Sequence, residues 1–269
     1  MISLEGAAQE WFRRQRAPSR SGSWNRVAYL DAAERLAGQC SSRQHEDGTL
    51  RDPSAATDGD EAERGSPAWM ALHSYAGTAR YVGAVARLVL AGRCGELIDS
   101  GMRAMDAAVR LLWEGRERHR PAAEFEVLEL VDGLRAFERF AGASRAGRWR
   151  GCLRELDPER CYADVFSQRE DPRNANTFAL ASEQARIAAR LGGSVDFIDR
   201  YLDYQRGWFT TSGMYRDPGE PMVYDLTVRK NLALMRHRGY VGPHALWVEE
   251  MLERGGLVSL FSQSAAGQA

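Results

Sequence analysis

The sequence predicts an all-α fold built from antiparallel helical hairpins. Apolar residues recur at i, i+3, i+4 and i+7 through most of the 269 residues. Strand-like alternation of apolar and polar residues is hard to find. Clusters of glycine, proline and serine interrupt the helical pattern, and the interruptions alternate between short and long, which suits hairpins joined by loops. About ten helices fit this reading, in a chain long enough to bury a sizeable core.

Leu4 to Gln15 is a short amphipathic segment with Leu4, Ala7, Ala8, Trp11 and Phe12 on one face. Pro18 and a Ser/Gly cluster end it. Ser23 is placed to cap a second helix that carries Trp24, Val27, Leu30, Ala33 and Leu36. His45 to Pro67 is rich in Asp, Glu, Gly, Ser and Pro, and reads as a long loop. Helices are then expected over 68–90, 95–113, 122–140 and 144–156. An irregular connection follows, punctuated by Pro158 and Pro172. The last third is the most regular. A helix over 176–191 is stopped by Gly192-Gly193, and Ser194 caps the next, which carries Phe197, Ile198 and Leu202. Helices over 221–238 and 243–253 complete the chain.

Composition narrows the function. The chain is 27% charged with a net charge of −1, which argues against a nucleic-acid partner. Lys230 is the only lysine among 36 basic side chains. Arginine supplies the rest, and its fork grips carboxylates in bidentate fashion. Four cysteines, Cys40, Cys94, Cys152 and Cys161, form no C-x-x-C pair and read as thiols of a reducing compartment. No apolar core of a secretory signal lies in the first twenty or so residues, and no run of about eighteen apolar residues offers a membrane span. A cytoplasmic protein without a membrane partner is the expectation. No phosphate-binding glycine loop, zinc-protease helix or nucleophile elbow occurs, and the acidic loop lacks calcium-ligand spacing. Neither a metal nor a cofactor is therefore expected.

Two loops echo one another. Gly48-Thr49-Leu50-Arg51-Asp52-Pro53 and Gly213-Met214-Tyr215-Arg216-Asp217-Pro218 share one pattern, each after a helix. Such a repeat fits equivalent hairpin loops on one rim of a toroid. With these loops, the block Asn174 to Arg186, the stretch Gly213 to Arg229 and the turn Gly239-Tyr240-Val241-Gly242 resemble the α/α toroid superfamily. That superfamily includes the helical domains of heparinase II/III-like polysaccharide lyases and some glycoside hydrolases. The resemblance implies an incomplete α/α toroid that binds an acidic oligosaccharide in its cleft. In lyase domains a His or Trp often follows the second Asn, where this chain has Thr177, and a β-sandwich usually follows the toroid. The chain is accordingly read as one α/α domain over 1–269, either a shortened relative or the amino-terminal piece of a longer enzyme.

Candidate chemistry follows from residue type. Tyr215, Tyr224 and His73 are candidate bases or stacking rings, and Asn176 is a candidate neutraliser of a uronate carboxylate. Arg229, Asp225, Asp217, Glu183 and Glu124 are candidate substrate-binding groups. A plainer reading stands beside each. Asp225 and Arg229 have the spacing of a helix-supporting i, i+4 pair, and Glu183 and Arg186 that of a surface i, i+3 pair. Asn176 has the chemistry of a helix cap, and Glu124 opens a helix where acidic residues suit the dipole. His73 lies on an apolar helix, where a satisfied core histidine is usual, and His237 and His244 read as surface groups. Two alternatives to a lyase remain: a glycoside hydrolase using Asp217, Asp225 or Glu124, and a helical scaffold without catalysis.

Overall fold

The computed structural model describes residues 26–50, 67–115, 123–166, 174–216 and 224–262, without the side chains of 67–76, 115, 164 and 262. Among these residues the regular structure is helical, with two isolated antiparallel bridges. The helices are α1 (Arg26–Ser41), α2 (Pro67–Leu90), α3 (Ile98–Gly115), α4 (Ala123–Arg154), the short α5 (Pro158–Cys161) and α6 (Ala163–Phe166), α7 (Asn174–Ala188), α8 (Val195–Arg206), α9 (Asp225–His237) and α10 (Ala245–Ser262). No helix among the described residues is long and apolar enough to cross a membrane.

Four of these helices run side by side in the same direction. Arg80, Gly83 and Arg87 of α2 meet Phe125, Glu129 and Asp132 of α4 in that order. Phe125 of α4 packs on Phe178 of α7. Between α7 and α9, the Asn231 amide donates to the Thr177 hydroxyl at 3.0 Å, and seven residues further along the Gln184 amide donates to the Arg238 carbonyl at 3.0 Å. Equal steps on both helices mean a parallel register.

Antiparallel companions cover the other side of this row. The backbone at Gly101 of α3 lies against Val85 and Phe137, while Met105 lies with Val82 against Gly133. Running α3 against both α2 and α4 explains why small residues stand at these positions. In α10, Ser259 meets Arg229 and Glu249 meets Arg236, so α10 returns along α9. Where two helices are expected over 122–156, one element spans Ala123–Arg154 with a non-helical break at Gly142 (φ 72°, ψ 158°). Residues after the break turn back along α3: Arg145 reaches Met102, and Trp149 donates to Asp106 at 2.7 Å. The core between the layers includes Val85, Met105, Val127, Leu130, Phe137, Leu180, Ile198, Leu202, Leu232 and Val248.

The echo between the two loops is structural. Gln44 bridges Leu50, and Phe209 bridges Tyr215. The His45 N–H donates to Thr49 O, and the Thr210 N–H to Met214 O, both at 2.9 Å. Gly48 (φ 87°) and Gly213 (φ 79°) occupy left-handed conformations that glycine adopts freely. Each also presses on a following helix, so that a Cβ would stand 2.3 Å from Arg103 O in one case and 2.5 Å from Met251 O in the other. Finally, the Leu50 N–H donates to the Thr78 hydroxyl of α2 at 2.9 Å, and the Tyr215 N–H to the Asp225 carboxylate of α9 at 2.7 Å. The unit α1–loop–α2–α3 thus recurs as α8–loop–α9–α10.

Several expectations change. The helix expected from residue 221 is observed from Asp225, and the irregular segment after Asp157 contains α5 and α6. These two short helices anchor through Tyr162 and Phe166, whose rings pack with Phe197 and Tyr201 of α8. His244 is buried at 6% exposure, and its backbone N–H faces the Tyr240 hydroxyl of the turn at Gly239 to Gly242 at 3.4 Å. The Glu183–Arg186 pair is buried, as described below. The segments 4–15 and 51–66 lie outside the described residues. All four cysteines are free.

Candidate functional site

Asp225 opens α9 and is 2% exposed. Its Oδ1 accepts the Tyr215 N–H, and its Oδ2 accepts Arg229 Nε at 2.8 Å and Nη2 at 2.5 Å. Arg229 also donates to the Ser259 hydroxyl of α10 and lies against the backbone at Gly255. Tyr215 is fully buried, with its ring edge-on to Phe209. Three predicted site residues thus meet, but as a joint between the repeated loop, α9 and α10. The Asp225–Arg229 spacing that suits a helix pair does form one, with both partners buried.

Glu183 makes a second, separate network. Its Oε1 accepts Arg186 Nη1 at 2.6 Å and the Tyr162 hydroxyl at 3.1 Å, and its Oε2 faces the Ser194 N–H at 3.3 Å. Arg186 donates onward to the carbonyls of Leu153, Arg154 and Leu156. The carbonyls of Leu153 and Arg154 end α4, where the last four acceptors lack intrahelical donors, and that of Leu156 lies just beyond it. Arg186 therefore staples the end of α4 to α7, and the pair belongs in the interior rather than on the surface. Burial pushes the Glu183 carboxyl above the usual range, against the pull of Arg186.

The remaining predicted residues are more dispersed. Asn176, in the first turn of α7, is 4% exposed, and its Oδ1 has no hydrogen-bond partner among the described residues. Glu124 is buried at the start of α4, where its carbonyl accepts the Ser182 hydroxyl. Tyr224 stands just before α9, 40% exposed. The backbone of His73 lies in α2, while its side chain, like the whole of Asp217, is outside the described residues.

A different set of side chains gathers on the face shared by α2, α4, α7 and α9. Arg80 lies 5.7 Å from the centroid of the Phe125 ring. Phe125 and Phe178 meet edge to face at 4.5 Å, and Lys230 Nζ lies 4.9 Å from the Phe178 centroid. Arg80 and Lys230 are exposed, and the two rings are half-buried. Each helix contributes one member of this row. The residues seven further on, Arg87, Asp132, Ala185 and His237, line a cavity of about 730 Å³ together with Arg135 and Arg238. Seven residues are two turns, about 10 Å along a helix, and return to the same face. The aromatic platform of Phe125 and Phe178 and the cavity therefore lie on the same side of the four helices, and the pairs Arg87–Asp132 (3.0 Å) and Arg238–Asp132 (2.7 Å) cross the cavity level.

Glu129 sits between the two levels. Its carboxylate occupies the place a side chain at Gly83 would take, 1.6 Å from where that Cβ would stand. Arg87 Nη1 approaches Glu129 Oε2 to 2.7 Å. Beyond this ion pair, the buried oxygen has no other partner among the described residues. Burial raises the Glu129 carboxyl above its ordinary range, beyond what Arg87 offsets. Burial, with Arg87 and Arg80 nearby, lowers Lys230 below the ordinary lysine range. Sequence reasoning passed over this row because its members lie 45 or more residues apart in pairs of helices. The signal present was Lys230, the one lysine in an arginine-rich chain.

No family model, curated protein or solved structure matches this chain.

Proposed function

We propose that this chain is a carbohydrate-active, polysaccharide-lyase-like domain that binds an acidic oligosaccharide, and that its four parallel helices are an arc of an α/α toroid. One observation carries the reading: two half-buried phenylalanine rings lie between two exposed cations, Arg80 and Lys230, on the face all four helices share. A pyranose ring presents an apolar C–H face, which suits an aromatic platform. A uronate adds a carboxylate, which suits a guanidinium or ammonium beside the ring. The cavity two turns below, with Arg87, Arg135, Arg238 and His237 against Asp132 and Glu138, continues the basic character and is large enough for a further sugar unit.

In this reading the buried joint of Tyr215, Asp225 and Arg229 positions α9, and the substrate meets Arg80, Phe125, Phe178 and Lys230. Tyr224, half exposed above α9, is the predicted residue best placed to contribute from the rim. The test compares thermal stabilisation by short uronic-acid oligosaccharides with that by neutral oligosaccharides of equal length. Acidic ligands are expected to raise the melting temperature at low salt and to lose much of that effect as salt screens exposed charges. Equal stabilisation by neutral sugars, or none by any acidic one, would remove the proposal.

A further inference from the structure

The cavity two turns below the platform exists because helices end there. α2 stops at Leu90, α7 at Ala188 and α9 at His237, while α4 continues to its break at Gly142. Asp132 of α4 and Arg238 just beyond α9 meet at 2.7 Å across α7. To the lining, α7 and the residue after it contribute alanine alone: Ala185, Ala188 and Ala189. Single-carbon side chains leave the room that larger ones would fill. Val131, Leu134 and Leu234 make further apolar walls. The volume of about 730 Å³ is that of a small-molecule site.

The charge on the lining is one-sided. Four arginines and His237 stand against Asp132 and Glu138. Both carboxylates are occupied: Asp132 holds Arg87 and Arg238, and Glu138 holds Arg150. Arg135 on α4 and His237 on α9 are exposed, and their side chains have no ion-pair or hydrogen-bond partner among the described residues. Arg135 stands one turn beyond Asp132 and Ala188 one turn beyond Ala185, so the parallel register of α4 and α7 puts Arg135 and Ala188 at one level. Turns after the helix ends fold back on the last carbonyls, with the Leu191 N–H on Arg186 O and the Gly239 N–H on Arg236 O. Part of the negative charge those ends present is thereby taken up.

We propose that this cavity is a ligand site in its own right, separate from the platform, for a small organic anion. A compact alkyl or aryl body lies against the alanine, valine and leucine walls, and a terminal oxyanion, phosphate or carboxylate, meets Arg135 and His237. A bare inorganic ion would leave the apolar walls unused, and a neutral apolar molecule would leave the two free cationic groups unused. Arg87, Arg150 and Arg238, already held in place by carboxylates, add positive field without having to be ordered by the ligand.

Calorimetric titration of the whole chain tests the site. Phenyl phosphate and benzoate carry both head and body; inorganic phosphate is a head alone and phenol a body alone. Wild type should bind one of the complete ligands at least about tenfold more tightly than it binds phosphate or phenol, and the tighter of the two identifies the head. Arg135→Gln, at an exposed position, should weaken that ligand by about tenfold, the worth of one charge-assisted hydrogen bond. Ala188→Trp, also at an exposed position, should abolish its binding by filling the space without a change of charge. Phosphate or phenol binding as tightly as the complete ligands would overturn the site. So would no binding of either complete ligand, or binding undiminished in either variant. A uronic-acid oligosaccharide is then titrated into protein saturated with the tighter anion. Both should be held at once, and competition between them would overturn a separate site. Anion binding as expected without any sugar binding would remove the sugar reading and leave this inference standing.

Discussion

At the residue scale, charges buried inside this molecule divide into those that hold helices together and those that face the shared surface. Arg186 is 1% exposed and serves a carboxylate and three carbonyls. Replacing it by methionine leaves Glu183 without its cation and the end of α4 without donors. A loss of about 3–5 kcal/mol in urea unfolding is expected, as for other broken buried pairs; a loss below about 1 kcal/mol would show that the staple is dispensable. Glu129 gives a pH-dependent prediction. Its folded-state carboxyl binds protons more readily than the unfolded one, so the native state holds more protons over the window just above the ordinary glutamate range. Stability must then fall as pH rises through that window. Unfolding of wild type and Glu129→Gln at a series of pH values measures this: the difference between them should shift against wild type as pH rises, and a flat difference would contradict the burial argument. Spacing made the Glu183–Arg186 pair visible in the sequence, but not its burial. An i, i+3 pair looks the same on a surface as in a core, and what buries this one is the end of α4, about thirty residues away. His244 was misread for the same reason.

At the scale of elements, local chemistry was more legible. Ser194 before an apolar run signals a cap, and its hydroxyl does accept the Phe197 N–H at 3.1 Å. The Gly-x-x-Arg-Asp-Pro echo signals equivalent loops, and both loops repeat the same bridge, the same left-handed glycine and the same hydrogen bond to the next helix. Turn geometry is set by neighbouring residues, so it can be read from them. The break at Gly142 was seen only as a gap between two helices, because its sharp reversal depends on packing against α3. Alanine at Gly48 or Gly213 meets both a positive φ and a backbone atom closer than 3 Å. A destabilisation of at least about 1–3 kcal/mol is expected for each. Gly147, in the helical part after the break with nothing within 4 Å, is the control. There alanine should stabilise by up to about 1 kcal/mol through helix propensity. Thermal melts of the three variants compare them directly, and a tolerated alanine at both loop glycines would undo the account of the repeat.

At the scale of the whole molecule, the sequence supported an all-helical chain of hairpins, while the surface they share became visible only when the helices were placed side by side. Arg80, Phe125, Phe178 and Lys230 come from four helices, and each is followed seven residues later by a residue that lines the cavity. One helix at a time, such spacing is indistinguishable from ordinary amphipathic patterning. Tyr215, Asp225 and Arg229 meet in a buried network where the repeated loop, α9 and α10 join, and reactive side chains crowded into one connection also suit holding that connection in place. The central claim is that an acidic sugar lies on the phenylalanine platform between Arg80 and Lys230. Titration calorimetry of a short uronic-acid oligosaccharide into wild type and into Phe178→Ala tests it most directly. Wild type should bind, and loss of the ring should weaken binding by about tenfold, the worth of one aromatic contact. Equal affinity of the two proteins, or no heat from wild type at all, would contradict the claim.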